Sequence, residues 1–209
     1  MIIKVCGMRD SENIAEVERL DANWMGFIFY PKSPRHVSTR PDYLPVGCKR
    51  VGVFVDANPL RILSQVNAFK FDIVQLHGNE DVSYCQTLRT VLPSGTQIIK
   101  MVSMTEPDDL KGLEAYEKYV DYFLFEPRSQ GYGGSGRQFD WQLLSHYTGS
   151  KPFLLSGGIG PEDADKVLSF SHPRFVGIDL NSRFESAPGV KDIQTLKTFI
   201  QNIRSHEQN

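Results

Sequence analysis

The sequence predicts an α/β fold, a single (β/α)8 barrel, on three observations. Eight short apolar segments recur along the 209 residues. Their C-terminal ends lie about 25 residues apart, which leaves room in each step for one strand, one helix and two loops. Helical patterns fill most of the intervals, so parallel strand pairing is expected. Eight similar units favour a closed barrel over an open doubly wound sheet, which usually has five or six strands.

The eight strand segments are rich in β-branched and aromatic residues, which is typical of strands buried in a parallel sheet. The expected strands are 2–6, 25–29, 50–55, 72–76, 97–101, 121–126, 152–155 and 174–180. Most are continuous apolar runs, so helices are expected to cover the outside of the sheet.

Helices are predicted where a capping residue precedes apolar residues at helical spacing. The expected helices are 11–20, one opening at Asn58-Pro59, one from Asn79 to near Leu88, further ones starting at Pro107, Asp140 and Pro161, and an amphipathic one over 192–204. The segment 38–44 holds Pro41 and has room for a turn or two at most. No linker or low-complexity tract interrupts the chain, so residues 1–209 are expected to form one catalytic domain.

Composition and charge exclude several classes of protein. Hydrophobic residues make up 40% of the chain, enough for a sizeable core, and the net charge is −2. No basic block indicates nucleic-acid binding, and no apolar run approaches the ~20 residues of a membrane-spanning helix. The N-terminus lacks the pattern of a secretory signal, and three cysteines do not make a disulfide scaffold. We therefore expect a cytoplasmic protein, with its oligomeric state left open.

Two ionisable residues end predicted strands, where a barrel carries its active site. Cys6 ends the first strand and shares a face with Lys4, whose ammonium would lower the pKa of the thiol. Cys6 is therefore a candidate base or nucleophile, although many lone cysteines are inert core residues. Glu126 ends the sixth strand, where partial desolvation favours a carboxyl that acts as a general acid. The alternative for Glu126 is a salt-bridged strand end, with Arg128 as its partner.

Other polar and glycine residues follow the strands as candidates for ligand binding. Arg35, after the second strand, could bind a carboxylate or phosphate, although a solvated arginine is the simpler interpretation. The loops after the seventh and eighth strands are where barrels commonly bind phosphate through backbone N–H groups, and two ordinary tight turns are the alternative. The residues concerned are Gly157, Gly158, Asn181 and Ser182.

Two further features allow two interpretations each. His77, after the fourth strand, could line the pocket or bond within the core. The glycine-rich stretch 133–136, which includes Gly134, could be a lid over the site or a flexible connection.

Short motifs in a fixed order carry a family resemblance over nearly the whole chain. They include Lys-Val-Cys-Gly at 4–7, Ser-Pro-Arg at 33–35, Gln-Leu-His-Gly at 75–78, Gly-Gly-Ser-Gly at 133–136 and Ser-Gly-Gly at 156–158. With these motifs the chain resembles the phosphoribosylanthranilate isomerases of tryptophan biosynthesis. The resemblance implies a TIM barrel without cofactor or metal. It also implies conversion of N-(5-phosphoribosyl)anthranilate to 1-(2-carboxyphenylamino)-1-deoxyribulose 5-phosphate by an Amadori rearrangement.

The resemblance also implies a role for each candidate residue. Cys6 would be the general base and Glu126 the general acid. Arg35 would bind the anthranilate carboxylate, and Asp179, at the end of the eighth strand, would help to position the substrate. The remaining substrate-binding positions are His77, Gly134, Gly157, Gly158, Asn181 and Ser182, the last four around the phosphate.

The chain departs from the family pattern at two positions. Glu126 stands where the family usually has aspartate, so its carboxyl reaches about 1 Å further, and a misplacement of that size can cost ~100-fold in rate. Arg183 follows Asn181-Ser182 where many members carry glycine, and its charge could contact the phosphate.

Two alternative functions remain open at this point. One is another phosphate-binding barrel enzyme. A metal-dependent epimerase would need a set of His and Asp ligands, and an indole-forming synthase a catalytic lysine, for which Lys100 is the candidate. The other is a binding protein for a phosphorylated sugar or anthranilate ligand that lost catalysis through Glu126.

Overall fold

Eight parallel strands close into a barrel in which β1 is hydrogen-bonded to both β2 and β8. The computed structural model describes residues 1–128 and 138–207. The barrel strands are β1 (Ile2–Cys6), β2 (Trp24–Ile28), β3 (Lys49–Phe54), β4 (Ile73–Leu76), β5 (Gln97–Met104), β6 (Tyr122–Pro127), β7 (Phe153–Leu155) and β8 (Phe175–Leu180). All eight predicted strands are present with ends shifted by at most three residues, so the predicted barrel is confirmed.

Five α-helices lie within the described ranges. They are α1 (Ser11–Glu18), α2 (Pro59–Phe69), α3 (Val82–Val91), α4 (Ala164–Ser169) and α5 (Ile193–Glu207). The side chains of Asp10, Asn58 and Asp81 cap the first three by accepting backbone N–H groups of the first turn. Among the described residues, no helix is long and apolar enough to cross a membrane.

Two helices predicted from their starting residues are instead short 3-10 segments, Pro107–Leu110 and Trp141–His146. In the first, the Asp109 carboxylate accepts the backbone N–H groups of Thr105 and Glu106, which favours a tight turn over a longer helix. In the second, the buried residues Trp141 and Leu144 are three apart, which matches the three residues per turn of a 3-10 helix. The third predicted start, at Pro161, opens a 3-10 turn that leads into α4.

The hydrophobic core has an inner and an outer part, because side chains alternate between the two faces of each strand. The outer part lies between the strands and the elements around them. The inner part fills the barrel with Trp24, Val51, Val53, Ile73, Ile99, Met101, Leu124 and Leu154. The polar strand ends therefore lie above an apolar interior.

The seam between the first and last barrel strands depends on a glycine. Gly177 pairs with Ile2, and a Cβ built on Gly177 would lie 2.2 Å from the carbonyl oxygen of Ile2. Because that oxygen is part of the backbone, an added methyl group would separate the two strands.

We expect Gly177→Ala to lower the free energy of unfolding by about 1–3 kcal/mol, as overpacking commonly does. Chemical denaturation measures the loss. Gly47→Ala is the matched control, because its added Cβ would meet only the end of the flexible Glu18 side chain, at 3.2 Å. An equal loss in both variants would mean that the seam is not the cause.

Candidate active site

A cavity, partly open to solvent, lies at the carboxyl ends of the strands. Nine of the ten residues predicted for the site line it together: Cys6, Arg35, His77, Glu126, Gly157, Gly158, Asp179, Asn181 and Ser182. Gly134 lies outside the described residues. The fold thus brings residues from six strands or strand ends to one place, as a barrel allows.

A buried ion pair lies at the base of this cavity. Lys4 of β1 and Asp179 of β8 are partners in the strand register, and Lys4 Nζ lies 2.8 Å from Asp179 Oδ1. Burial disfavours the ammonium of Lys4, but its interactions with the Asp179 carboxylate and the Cys6 side chain together outweigh this effect and raise the pKa of Lys4. Lys4 therefore carries its charge inside the barrel.

Cys6 lies beside this pair and opposite Gly26 of β2. A Cβ on Gly26 would lie 2.6 Å from Cys6 Sγ, so the glycine makes room for the thiol. Burial raises the pKa of Cys6, and the nearby ammonium of Lys4 only partly offsets it. The prediction of a lowered pKa is therefore wrong: it identified the neighbouring charge correctly but not the depth of burial.

Glu126 contacts a histidine rather than the arginine considered from the sequence. Glu126 Oε1 lies 3.3 Å from His77 Nε2, whereas Arg128 pairs with Asp109 at 2.6 Å. Burial disfavours the charged ring of His77, but the Glu126 carboxylate outweighs it and raises the pKa of His77. Gln75 Nε2 lies 3.0 Å from His77 Nδ1, so the ring is held from both sides. His77 thus lines the cavity and also bonds to its neighbours.

Arg35 is not a solvated side chain. Its Nη2 lies 2.6 Å from Glu185 Oε2, and Glu185 also accepts a bond of 2.7 Å from Lys191 Nζ. Glu185 and Lys191 belong to a small hairpin, β9 (Glu185–Ala187) and β10 (Val190–Lys191), that follows β8. Neither residue is predicted from the sequence. The feature of the sequence that could have indicated Glu185 and Lys191 is that both charged residues follow shortly after the last barrel strand, near the barrel mouth.

The loop after β7 turns through two glycines in the left-handed region, and a short segment follows β8 directly. Gly157 and Gly158 have φ angles of +85° and +67°, which favour glycine. A Cβ on Gly157 would also lie 2.1 Å from Pro127 Cδ. A short 3-10 segment, Ser182–Phe184, starts directly after Asn181. Arg183 lines the cavity there and forms a partly exposed ion pair with Glu162.

The described residues offer little for the alternative enzymes. Within residues 1–128 and 138–207, no group of three or more His, Cys, Asp or Glu side chains is placed to hold a metal ion. Lys100 binds Glu80 at 2.9 Å and the carbonyl oxygen of Gly78 at 2.7 Å. It is not among the residues that line the cavity, so the lysine of an indole-forming synthase is not in place.

Comparisons with known proteins match the chain to one family. The family model described as N-(5'phosphoribosyl)anthranilate (PRA) isomerase matches residues 3–202. The N-(5'-phosphoribosyl)anthranilate isomerase of Parabacteroides distasonis is 50% identical, over 97% of this chain and 93% of that protein. That of Phocaeicola vulgatus is 47% identical over 100% of both chains.

Solved structures are similar over the whole barrel. Phosphoribosyl anthranilate isomerase from Thermotoga maritima matches with a TM-score of 0.82 and 30% identity, covering 98% of this chain and 100% of that one. A phosphoribosyl anthranilate isomerase in complex with reduced 1-(o-carboxyphenylamino)-1-deoxyribulose 5-phosphate matches with a TM-score of 0.78 and 28% identity, over the same shares of the two chains.

The Lys4–Asp179 pair predicts a strong coupling in stability. Lys4→Met leaves a buried carboxylate without its partner, and we expect the free energy of unfolding to fall by about 3–5 kcal/mol. The double variant Lys4→Met/Asp179→Leu, which removes both charges, should lose much less than the sum of the two single variants. Urea denaturation of all four proteins measures this, and additive losses would mean that the pair does not act as a unit.

The raised pKa of Cys6 predicts slow alkylation at neutral pH. The thiolate attacks iodoacetamide and displaces iodide, so the rate of modification should rise with pH and still be rising at about pH 8.5, the ordinary pKa of a cysteine thiol. Peptide mapping separates Cys6 from Cys48 and Cys85. Removing the ammonium in Lys4→Met should slow the reaction of Cys6 further, and a rate already constant at neutral pH would contradict the raised pKa.

Proposed function

Because the chain belongs to the N-(5'-phosphoribosyl)anthranilate isomerase family, we propose that Cys6 and Glu126 carry out the proton transfers of its reaction. The protein is an isomerase of tryptophan biosynthesis that converts N-(5-phosphoribosyl)anthranilate to 1-(2-carboxyphenylamino)-1-deoxyribulose 5-phosphate. The observation that carries the proposal is that a thiol and a carboxyl face one cavity, with Arg35 and the glycine turn after β7 lining the same space.

The rearrangement needs one acid and one base. Glu126 donates a proton to the furanose ring oxygen, the C1′–O bond breaks, and the ring opens to a protonated Schiff base. The Cys6 thiolate then removes the proton from C2′, and the electron pair of that C–H bond gives the enolamine. Tautomerisation of the enolamine yields the ketone product.

The surroundings of Cys6 suit a base. The thiolate would lie beside the ammonium of Lys4, whose charge is fixed by Asp179. Burial makes the thiolate scarcer at neutral pH but also makes it a stronger base. The ammonium of Lys4 limits the rise in the pKa of Cys6. The two effects together leave enough thiolate, of sufficient basicity, to remove a proton from carbon.

The contact with His77 supports Glu126 as the acid despite its extra methylene group. Glu126 Oε1 lies 3.3 Å from His77 Nε2, which draws the longer side chain towards β4. His77 has a raised pKa and the cavity is partly open to solvent, so after each turnover Glu126 can regain a proton from solvent through His77 while Cys6 releases the proton taken from C2′ to solvent. His77 is therefore proposed as both a lining and a proton-holding residue.

The two ends of the substrate carry negative charge, and the cavity has groups for both. We assign Arg35 to the anthranilate carboxylate and the backbone at Gly157, Gly158, Asn181 and Ser182 to the phosphate. Asp179 lines the cavity as well, and we assign it to the sugar. Gly134 is assigned to the substrate as well, although it lies outside the described residues.

We expect Cys6→Ala and Glu126→Gln each to lower kcat by about 100- to 10,000-fold, because each removes one proton-transfer group. The decay of anthranilate-type fluorescence on mixing with fresh N-(5-phosphoribosyl)anthranilate measures turnover. Glu126→Asp keeps the carboxyl and tests its reach, so it should retain more activity than Glu126→Gln.

Three outcomes would change the assignment. Turnover that survives Glu126→Gln would move the acid elsewhere, and Asp179 is then the next candidate. Turnover that survives Cys6→Ala would remove the thiol as base. Tight binding of a product analogue by the wild type without turnover would identify a binding protein that has lost catalysis.

A further inference from the structure

The carboxylate of Glu185 has all its hydrogen-bonding positions filled by protein donors. It accepts bonds from Arg35 Nε at 2.9 and 3.0 Å, Arg35 Nη2 at 2.6 Å, Lys191 Nζ at 2.7 Å and the backbone N–H of Gly189 at 3.1 Å. A carboxylate offers about four acceptor positions. Glu185 therefore has none left for a substrate, and its side chain is 4% exposed.

The bonds to Glu185 engage one edge of the Arg35 guanidinium and leave the edge with Nη1 available to a ligand. Nε and Nη2 face Glu185, and within the described part of the chain no acceptor takes Nη1. Arg35 lines the cavity, and its side chain is 13% exposed. A guanidinium that is held on one edge presents the opposite edge in a fixed direction, which reduces the entropy lost on binding.

Lys191 keeps this arrangement from becoming electrically neutral. Its side chain is fully buried, and Nζ contacts Glu185 Oε1 at 2.7 Å and Asn181 Oδ1 at 2.8 Å, both acceptors. Burial lowers the pKa of Lys191, and the Glu185 carboxylate opposes that shift. With Arg35 and Lys191 positive and Glu185 negative, the cluster keeps one positive charge for an anion in the cavity.

A glycine directly after β1 leaves space for the cluster of Arg35, Lys191 and Glu185. Gly7, directly after β1, has a φ of +82°, and a Cβ there would lie 2.8 Å from Arg35 Cδ and 2.8 Å from Asn181 Oδ1. The stem of Arg35 therefore passes close over the backbone beside Cys6. The guanidinium direction is set by Glu185 and the position of its stem by Gly7.

We propose that Glu185 is a positioning residue that orients Arg35 towards the carboxylate of the substrate, which makes the β9–β10 hairpin part of the binding site. The inference rests on the proposed function, because it takes Arg35 as the group that binds the carboxylate. Glu185 acts through Arg35 and touches no reacting atom. Its loss should therefore weaken the recognition of the carboxylate more than that of the phosphate.

Two matched ligands isolate this effect. One is the reduced product analogue 1-(2-carboxyphenylamino)-1-deoxyribitol 5-phosphate, and the other is the same compound without the carboxyl group. Isothermal titration calorimetry on the full-length protein gives both Kd values, and their ratio is the preference for the carboxylate. The phosphate and sugar are common to both ligands, so general damage to the site cancels in the ratio.

In the wild type we expect the carboxylated ligand to bind at least about 10-fold more tightly, as a charge-assisted bond usually gives. Glu185→Gln should remove most of this preference, and Glu185→Asp, which keeps the charge but withdraws it by one methylene group, should reduce it. Glu162→Gln is the control, because it removes the carboxylate partner of Arg183 at the same mouth and should leave the preference unchanged.

Arg35→Met separates failure of this inference from failure of the proposed function. If Arg35→Met loses the preference and both Glu185 variants keep it, Glu185 does not position Arg35. If Arg35→Met keeps the preference as well, Arg35 does not bind the carboxylate and the assignment in the proposed function is wrong. Circular dichroism and thermal unfolding show whether each variant is folded, and Glu185→Asp supplies the test should Glu185→Gln fail to fold.

Discussion

The buried ion pair between Lys4 and Asp179 is the interaction on which the rest of the site depends. It joins the first and last barrel strands at the same register position, with Nζ and Oδ1 2.8 Å apart. Removing two charges from water is costly, and the attraction offsets the cost only at good geometry. The closed register supplies that geometry. The same pair puts a positive charge beside Cys6 and a carboxylate into the cavity, so closure of the barrel also places an ammonium beside the proposed base.

The apolar interior below the cavity strengthens the interactions above it. The inner core consists of apolar side chains, and the ionisable groups lie at its upper end. Electrostatic interactions are stronger where water is excluded. Cys6, Asp179 and Glu126 all stand on strands, which hold them rigidly. Arg35 stands on a loop, and the hairpin after β8 supplies the support that a strand gives the others.

The sequence predicted well the features that depend on local pattern. Strands buried on both faces are apolar runs whatever their surroundings, so all eight could be found, and the glycines at 157 and 158 were placed correctly beside the cavity. Whether a short segment becomes an α-helix or a 3-10 turn is decided by packing, and the segments at Pro107 and Asp140 were wrong for that reason.

The sequence did not predict those features of the candidate site that depend on contacts between residues far apart along the chain. The shared face of Lys4 and Cys6 follows from alternation, but the depth of burial that raises the pKa of the thiol does not. Glu185 lies 150 residues from Arg35 along the chain, and no local pattern marks the pair. The partner of Glu126 depends on the relative height of β4 and β6 in the barrel, so His77 rather than Arg128 could be found only in the closed structure.

The position of Lys4 and Asp179 also bears on how the chain acquires its activity. The two residues are 175 positions apart, so their contact closes nearly the whole chain into a loop. Contacts of such long range form late, because the entropy of the loop must be lost before the contact is gained. Residues 1–128 contain both Cys6 and Glu126, but they lack the carboxylate that fixes the charge of Lys4. During synthesis Cys6, the proposed base, can therefore gain its native surroundings only after residue 179 has left the ribosome.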